Sequence, residues 1–165
     1  MPVLADIRAA WARPRGFIAG KLAEGPREDR ALAVLMGASG LSFVAQWPRL
    51  ARAAHLDPSV GLDARMAGAL MATVFILPLV AYGIAAVAHL AARVAGGRGS
   101  FFGARLALFW AMLAIAPAML FLGLLSGLAG PGQGTSAAGL AVFLGFLYLW
   151  GAMLYQTEWG VARWT

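Results

Sequence analysis

The sequence predicts an all-α integral membrane protein with four transmembrane helices, and three observations carry that prediction. Fifty-two consecutive residues, from Leu106 to Thr157, contain no Asp, Glu, Lys, Arg or His. Of the 165 residues, 61% are hydrophobic and 12% charged, against roughly 25% charged in soluble domains. Two further stretches, Ala31–Pro48 and Met66–Ala92, are free of Asp, Glu, Lys and Arg. A spanning helix needs about 20 apolar residues, so the longest run must be divided. Its division point is Gly130-Pro131-Gly132-Gln133-Gly134-Thr135-Ser136, a cluster of breakers and small polar residues suited to a tight hairpin.

Ala31–Pro48 forms the first span. Gly25-Pro26 precedes it, Glu28 and Asp29 complement the positive end of its dipole, and Trp47 and Arg49 read as interfacial anchors. Met66–Ala92 forms the second, with His89 as its only potentially charged residue and surplus length that tilt or a kink at Pro78 absorbs. The third runs from about Leu106 to Leu128 and contains Pro117; the fourth runs from about Ala137 to Tyr155. Proline within a span requires neighbouring protein to satisfy the freed carbonyls, so Pro78 and Pro117 are expected kinks that touch other helices. The domain plan is therefore a cytoplasmic amphipathic segment over 1–30, a membrane domain over 31–155 and a short cytoplasmic tail over 156–165. Between the first two spans, Arg49 to Arg65 is expected to be interfacial and broken near Asp57-Pro58.

Charge fixes the expected orientation. The N-terminal segment holds six basic residues, the second loop three (Arg93, Arg98, Arg105) and the tail one (Arg163), ten on one side of the membrane. The other side holds Arg49, Arg52 and Arg65. The positive-inside rule places both termini in the cytoplasm. The formal charge of +6 is explained by this distribution and needs no nucleic acid. Twelve of the thirteen basic residues are Arg, in a chain rich in Ala and Gly, which points to a GC-rich bacterial genome and hence the inner membrane. No cleavable signal peptide is expected, because charged residues fill the stretch before Ala31.

The first thirty residues carry an apolar face. Val3, Ile7 and Trp11 recur at four-residue spacing, Pro14 ends that helix, and Phe17, Ile18 and Leu22 follow beside Arg15 and Lys21. The segment is expected to lie on an anionic leaflet, with Trp11, Arg13, Arg15, Phe17 and Lys21 at the membrane surface.

Chemistry is scarce. The chain has no cysteine, which removes disulfides, thiolate nucleophiles and thiolate metal sites. His55 and His89 are the only histidines and fall on opposite sides of the membrane, so no metal or haem site is expected. His89, on the face of Ala81 and Ala85, reads as an interfacial residue or an interhelical hydrogen-bond partner. No span has a central ionisable residue, as coupled transport usually requires, and Ser126 lacks a base at its depth. Gly96-Gly97-Arg98-Gly99-Ser100 lacks the Gly-Lys-Ser/Thr ending of a phosphate loop. No catalytic residue and no cofactor are expected, and the chain reads as a non-enzyme.

The spans do contain material for close helix contact. Gly123 and Gly127 form a GxxxG pair, and Ala64, Gly68 and Ala72, then Ala141 and Gly145, repeat small residues at the same spacing. Packing within the chain is favoured over a dimer interface.

The segments Trp11-Ala12-Arg13-Pro14-Arg15-Gly16-Phe17, Arg27 to Leu35, and Gly96-Gly97-Arg98-Gly99-Ser100-Phe101-Phe102 leading to Leu108-Phe109-Trp110 and Ala116-Pro117 resemble the small bacterial members of the Yip family, relatives of the Ypt/Rab-interacting proteins of vesicle traffic. The resemblance implies an all-helical membrane domain with a cytoplasmic N-terminus, frequently of five spans. The acidic Tyr-Gly-Pro motif of the eukaryotic branch is missing, so Rab binding does not carry over. The leading expectation is a non-enzymatic membrane protein that organises lipid or protein partners. An accessory subunit of a larger membrane complex, and a homo-oligomer, are versions of it. The opposing class is a small transporter or channel, with Pro78, Pro117 and His89 as its mobile and polar elements.

Overall fold

A computed structural model of the protein describes residues 3–160; Arg163, counted above toward the orientation, lies outside them. The described residues form α1 (Val3–Ala12), α2 (Pro14–Ala23), α3 (Glu28–Leu56), α4 (Leu62–Leu70), a π-helical segment (Met71–Ile76), α5 (Leu77–Val94), α6 (Phe101–Ala129) and α7 (Gln133–Trp159). Four of these units are long and apolar enough to cross a membrane: α3, the continuous stretch Leu62–Val94, α6 and α7. The protein is an all-α membrane protein with four such helices among its described residues.

At the centre stands α6, packed against α3, α5 and α7, whereas α5 and α7 scarcely touch each other. Its 29 residues extend about 43 Å at 1.5 Å per residue, close to the roughly 40–45 Å of a whole bilayer. It is apolar on all sides, as a helix enclosed by others should be. Phe109, Ala111, Ala114 and Ala116 are fully buried, and Leu35 of α3 and Leu149 and Met153 of α7 close over it. One end of the bundle carries the α3–α4 and α6–α7 turns, here the loop end. The other carries the N-terminal helices, the α5–α6 loop and residue 160, here the terminal end.

Pro48 does not end the first span: α3 continues to Leu56 with Pro48 inside it. Proline loses one backbone bond and pushes on the preceding turn, and α6 accommodates this. A β-carbon at Gly127 would collide with Pro48, so the glycine leaves room for the ring. One turn on, Arg52 Nη1 donates to the carbonyls of Gly127 at 3.3 Å and Leu128 at 3.1 Å, satisfying acceptors that a helix C-terminus leaves open. Gly130 follows with φ +77° and the Arg52 guanidinium beside it. A side chain there would be strained by backbone and neighbour alike.

At Pro78 the chain adopts a different solution from a simple kink. The π-helical turn Met71–Ile76 lies directly before it, and α5 starts at Leu77. Pro78 cannot donate to the carbonyl four residues back, and a wider turn takes up that mismatch. Pro117 lies inside α6, as expected. The last span starts earlier than the sequence suggests, at Gln133, and reaches Trp159, so the first residues of the expected tail are helical.

The N-terminal segment departs most from expectation. Much of its apolar face packs on the protein: Ala10 and Ile18 are fully buried, and Ile7, Phe17 and Leu22 pack on the core, while Trp11 stays 42% exposed. Phe17 meets the Trp110 ring edge-on with centroids 4.8 Å apart. Trp11 Nε1 donates to the Ala114 carbonyl at 2.8 Å, in the turn before Pro117. Arg15 lies over the Tyr155 ring, and Lys21 lies over Trp110 and pairs with Asp6 at 3.2 Å. Arg13 remains exposed. Leu22 approaches Gly103 near the start of α6, whereas Trp11 reaches Ala114, eleven residues or about 16 Å further along it. The two short helices thus form a hairpin wedged against the terminal half of α6 and α7. Val3 and Leu4 stay exposed.

Candidate functional site

Because α5 and α7 both lean on α6 and barely on each other, a crevice is left between them, floored by α6 and closed at the back by α3. It encloses a cavity of about 680 Å³, within the roughly 300–1,000 Å³ of small-molecule sites. Along α6 its lining runs from Leu108 to Ser126, along the π-helical segment and α5 from Thr73 to Ile84, and on α7 from Gly139 to Trp150. At 1.5 Å per residue these are about 27, 16 and 16 Å, between the depth of one leaflet and the roughly 30 Å of the whole hydrocarbon core. Ile84 and Phe143 on its rim are exposed, so the crevice opens sideways, where lipid would be.

The wall is polarised along its length. Toward the terminal end it consists of Leu108, Met112, Ile115, Ile84, Phe146 and Trp150. Toward the loop end come Thr73, Gln46, Ser126 and, at the mouth, Arg49. The helical period supplies this: Ser42, Ala45, Gln46 and Arg49 fall on one face of α3 at three- and four-residue spacing. Thr73 donates its hydroxyl to the Ala69 carbonyl at 2.7 Å and Ser126 its own to Leu122 at 2.7 Å. Gln46 Nε2 donates to the Ser42 carbonyl at 3.3 Å, which leaves its amide oxygen free. Arg49 is exposed and takes part in no ion pair among the described residues.

Gly123 and Gly127 stand beside this cavity at the α3–α6 contact. A β-carbon on Gly123 would collide with the Ala45 backbone carbonyl, so the pair works within the chain. Gly145 has Trp11 and Ile115 as its nearest neighbours. The other small residues do not take the expected inward place: Gly68, Ala72 and Ala141 are exposed, and a β-carbon on Gly68 would meet nothing. The buried positions nearest them are Thr73, beside Ala72, and Leu149, two turns beyond Ala141.

At the terminal end a polar lock joins α5, α7 and the loop between α5 and α6. His89 Nδ1 lies 2.7 Å from Glu158 Oε1, with both side chains buried. The other carboxylate oxygen accepts the Gly99 N–H at 3.2 Å, and the Glu158 carbonyl accepts the Arg98 N–H at 2.7 Å. Gly97 and Gly99 press so closely on Glu158 and Thr157 that neither has room for a side chain. Gly97 and Gly99 therefore serve a close approach to α7, and Ser100 caps α6 by accepting the Gly103 N–H at 3.1 Å. His89 is an interhelical hydrogen-bond partner. Sequence reasoning missed Glu158, whose signal was its position as the first ionisable residue after the uncharged run.

No group of three or more His, Cys, Asp or Glu among the described residues is placed to hold a metal. No family model, curated protein or solved structure matches the chain.

Proposed function

We propose that this membrane protein is a non-enzymatic organiser of membrane lipid, of the Yip type, that holds a lipid in the crevice between α5 and α7. The observation that supports this reading is the cavity itself: elongated, apolar along most of its wall, polar at one end and open sideways. A helix from a partner fits less well. A 27 Å length of helix about 10 Å across occupies roughly 2,100 Å³, whereas the crevice offers about 1610 Å³ even with its open mouth included. The Yip assignment rests on the sequence resemblance, and the orientation, termini in the cytoplasm of a bacterial inner membrane, rests on the charge count.

The test uses the full chain in mild detergent, examined by native mass spectrometry. Wild type should retain one lipid per chain through washing. Gly139→Phe, which projects a ring into the crevice from a position with room for a side chain, should release it. Gly151→Phe on an open, exposed part of α7 should not. Equal retention by all three proteins would refute the proposal.

A further inference from the structure

Resting on that reading, we infer that the loop end of the crevice is a head-group subsite that selects lipids with an acidic head group, with Arg49 as the residue that recognises the charge. An acyl chain gains nothing hydrophobic on leaving the bilayer for an apolar crevice, since lipid tails are as apolar as the helix surface. The Leu, Ile, Met and Phe wall can hold a tail by packing, but it cannot discriminate between lipids that share the same tails. Discrimination has to come from the polar end.

There the groups present are one-sided. Gln46 and Arg49 lie one turn apart on α3, at the mouth, and Thr73 and Ser126 face them from the π-helical segment and α6. Among the described residues, Arg49 at this mouth takes part in no ion pair. Arg52, the next arginine, is committed to the α6 carbonyls, and Arg65 to Asp57 at 3.1 Å and to the Val60 carbonyl at 3.0 Å. No carboxylate among the described residues lines the cavity. An acidic head group would therefore meet a guanidinium free to offer a charge-assisted, two-pronged bond, beside a free amide oxygen on Gln46 for a head-group hydroxyl. The depths agree as well. From the Gln46–Thr73 level to Ile84 and Trp150 the crevice runs about 16 Å, the depth of one leaflet, so a head group at Arg49 places its tail along the apolar wall.

The experiment measures binding of phosphatidylglycerol and phosphatidylcholine with identical acyl chains to the delipidated full chain, by native mass spectrometry titration. Wild type should bind phosphatidylglycerol roughly tenfold more tightly, the worth of one charge-assisted bond. Arg49→Gln should bring the two within about twofold of each other, Arg49→Lys should retain most of the preference, and Arg65→Gln, which removes a charge at the same end outside the crevice, should leave it intact. Glycerol phosphate in equal amount should not compete, because it has no tail; displacement by it would overturn the lipid assignment in favour of a soluble phosphate. Equal binding of both lipids by wild type, or a preference that survives Arg49→Gln, would overturn the subsite while Gly139→Phe still released both lipids, leaving the crevice reading in place. If Gly139→Phe changed neither lipid, the crevice reading would fall and the subsite with it.

Discussion

Glu158 Oε1 lies 2.7 Å from His89 Nδ1, joining two helices that otherwise hardly meet. Both side chains are buried and neither belongs to the crevice lining. The lock holds α5 and α7 at the terminal end, and the crevice opens between the same helices toward the loop end.

Removing one partner of a buried pair strands the other, at a cost of about 3 kcal/mol or more. Glu158→Ala should therefore lower thermal stability in detergent sharply, and Glu158→Gln less, because its amide oxygen can still accept the Gly99 N–H. His89→Ala combined with Glu158→Ala should cost clearly less than the two single losses together. Strict additivity in that double-mutant cycle would show that the two side chains do not act as a pair.

Gly123→Leu and Gly127→Leu should each destabilise the protein by about 1–3 kcal/mol through overpacking against α3, since even a β-carbon collides with Ala45 or Pro48. Gly68→Leu should leave the melting temperature of the detergent-solubilised protein near wild type, because that face is open. A reversed order would contradict the packing described for α3 and α6.

Trp11→Phe keeps most of the ring and deletes the donor to the Ala114 carbonyl. The expected loss is about 1 kcal/mol, together with faster proteolysis within residues 3–23. Protection equal to wild type would mean that this indole does not anchor the N-terminal hairpin.

Asp57, in the turn after α3, has its carboxyl held below the ordinary 3.8, chiefly by hydrogen bonds from Ser59, whose hydroxyl donates at 2.5 Å and backbone N–H at 3.1 Å. A depressed carboxyl contributes stability above its unfolded value, and that contribution is lost as pH falls through the folded one. Ser59→Ala should move the Asp57 titration, followed by carboxyl NMR, up toward 3.8. No movement would place the cause elsewhere.

The hydropathy of the chain made the four spans legible because burial in lipid demands long uncharged runs, and three of the four needed only adjustment at their ends. Pro48 misled because its cost is local to the sequence while its accommodation, Gly127 and Arg52, lies across a helix contact. The N-terminal face misled for a related reason: Trp11, Phe17 and Ile18 suit a leaflet and a protein groove equally, and only the Ala114 carbonyl and the Trp110 ring decide between them. Glu158 and His89 were visible as isolated titratable residues, but their meeting depends on how α5 and α7 lean. The crevice could not be read at all, since its lining comes from four helices and no single one displays it.

The central claim, a lipid held between α5 and α7, is tested most directly by photocrosslinking in membranes that contain a phospholipid with a photoreactive acyl chain. Lipid adducts should concentrate on Met112, Ile115, Met119 and Phe146, which line the crevice, and should fall several-fold in Gly139→Phe. Adducts confined to the outward Leu79 and Phe121, with no effect of Gly139→Phe, would contradict it.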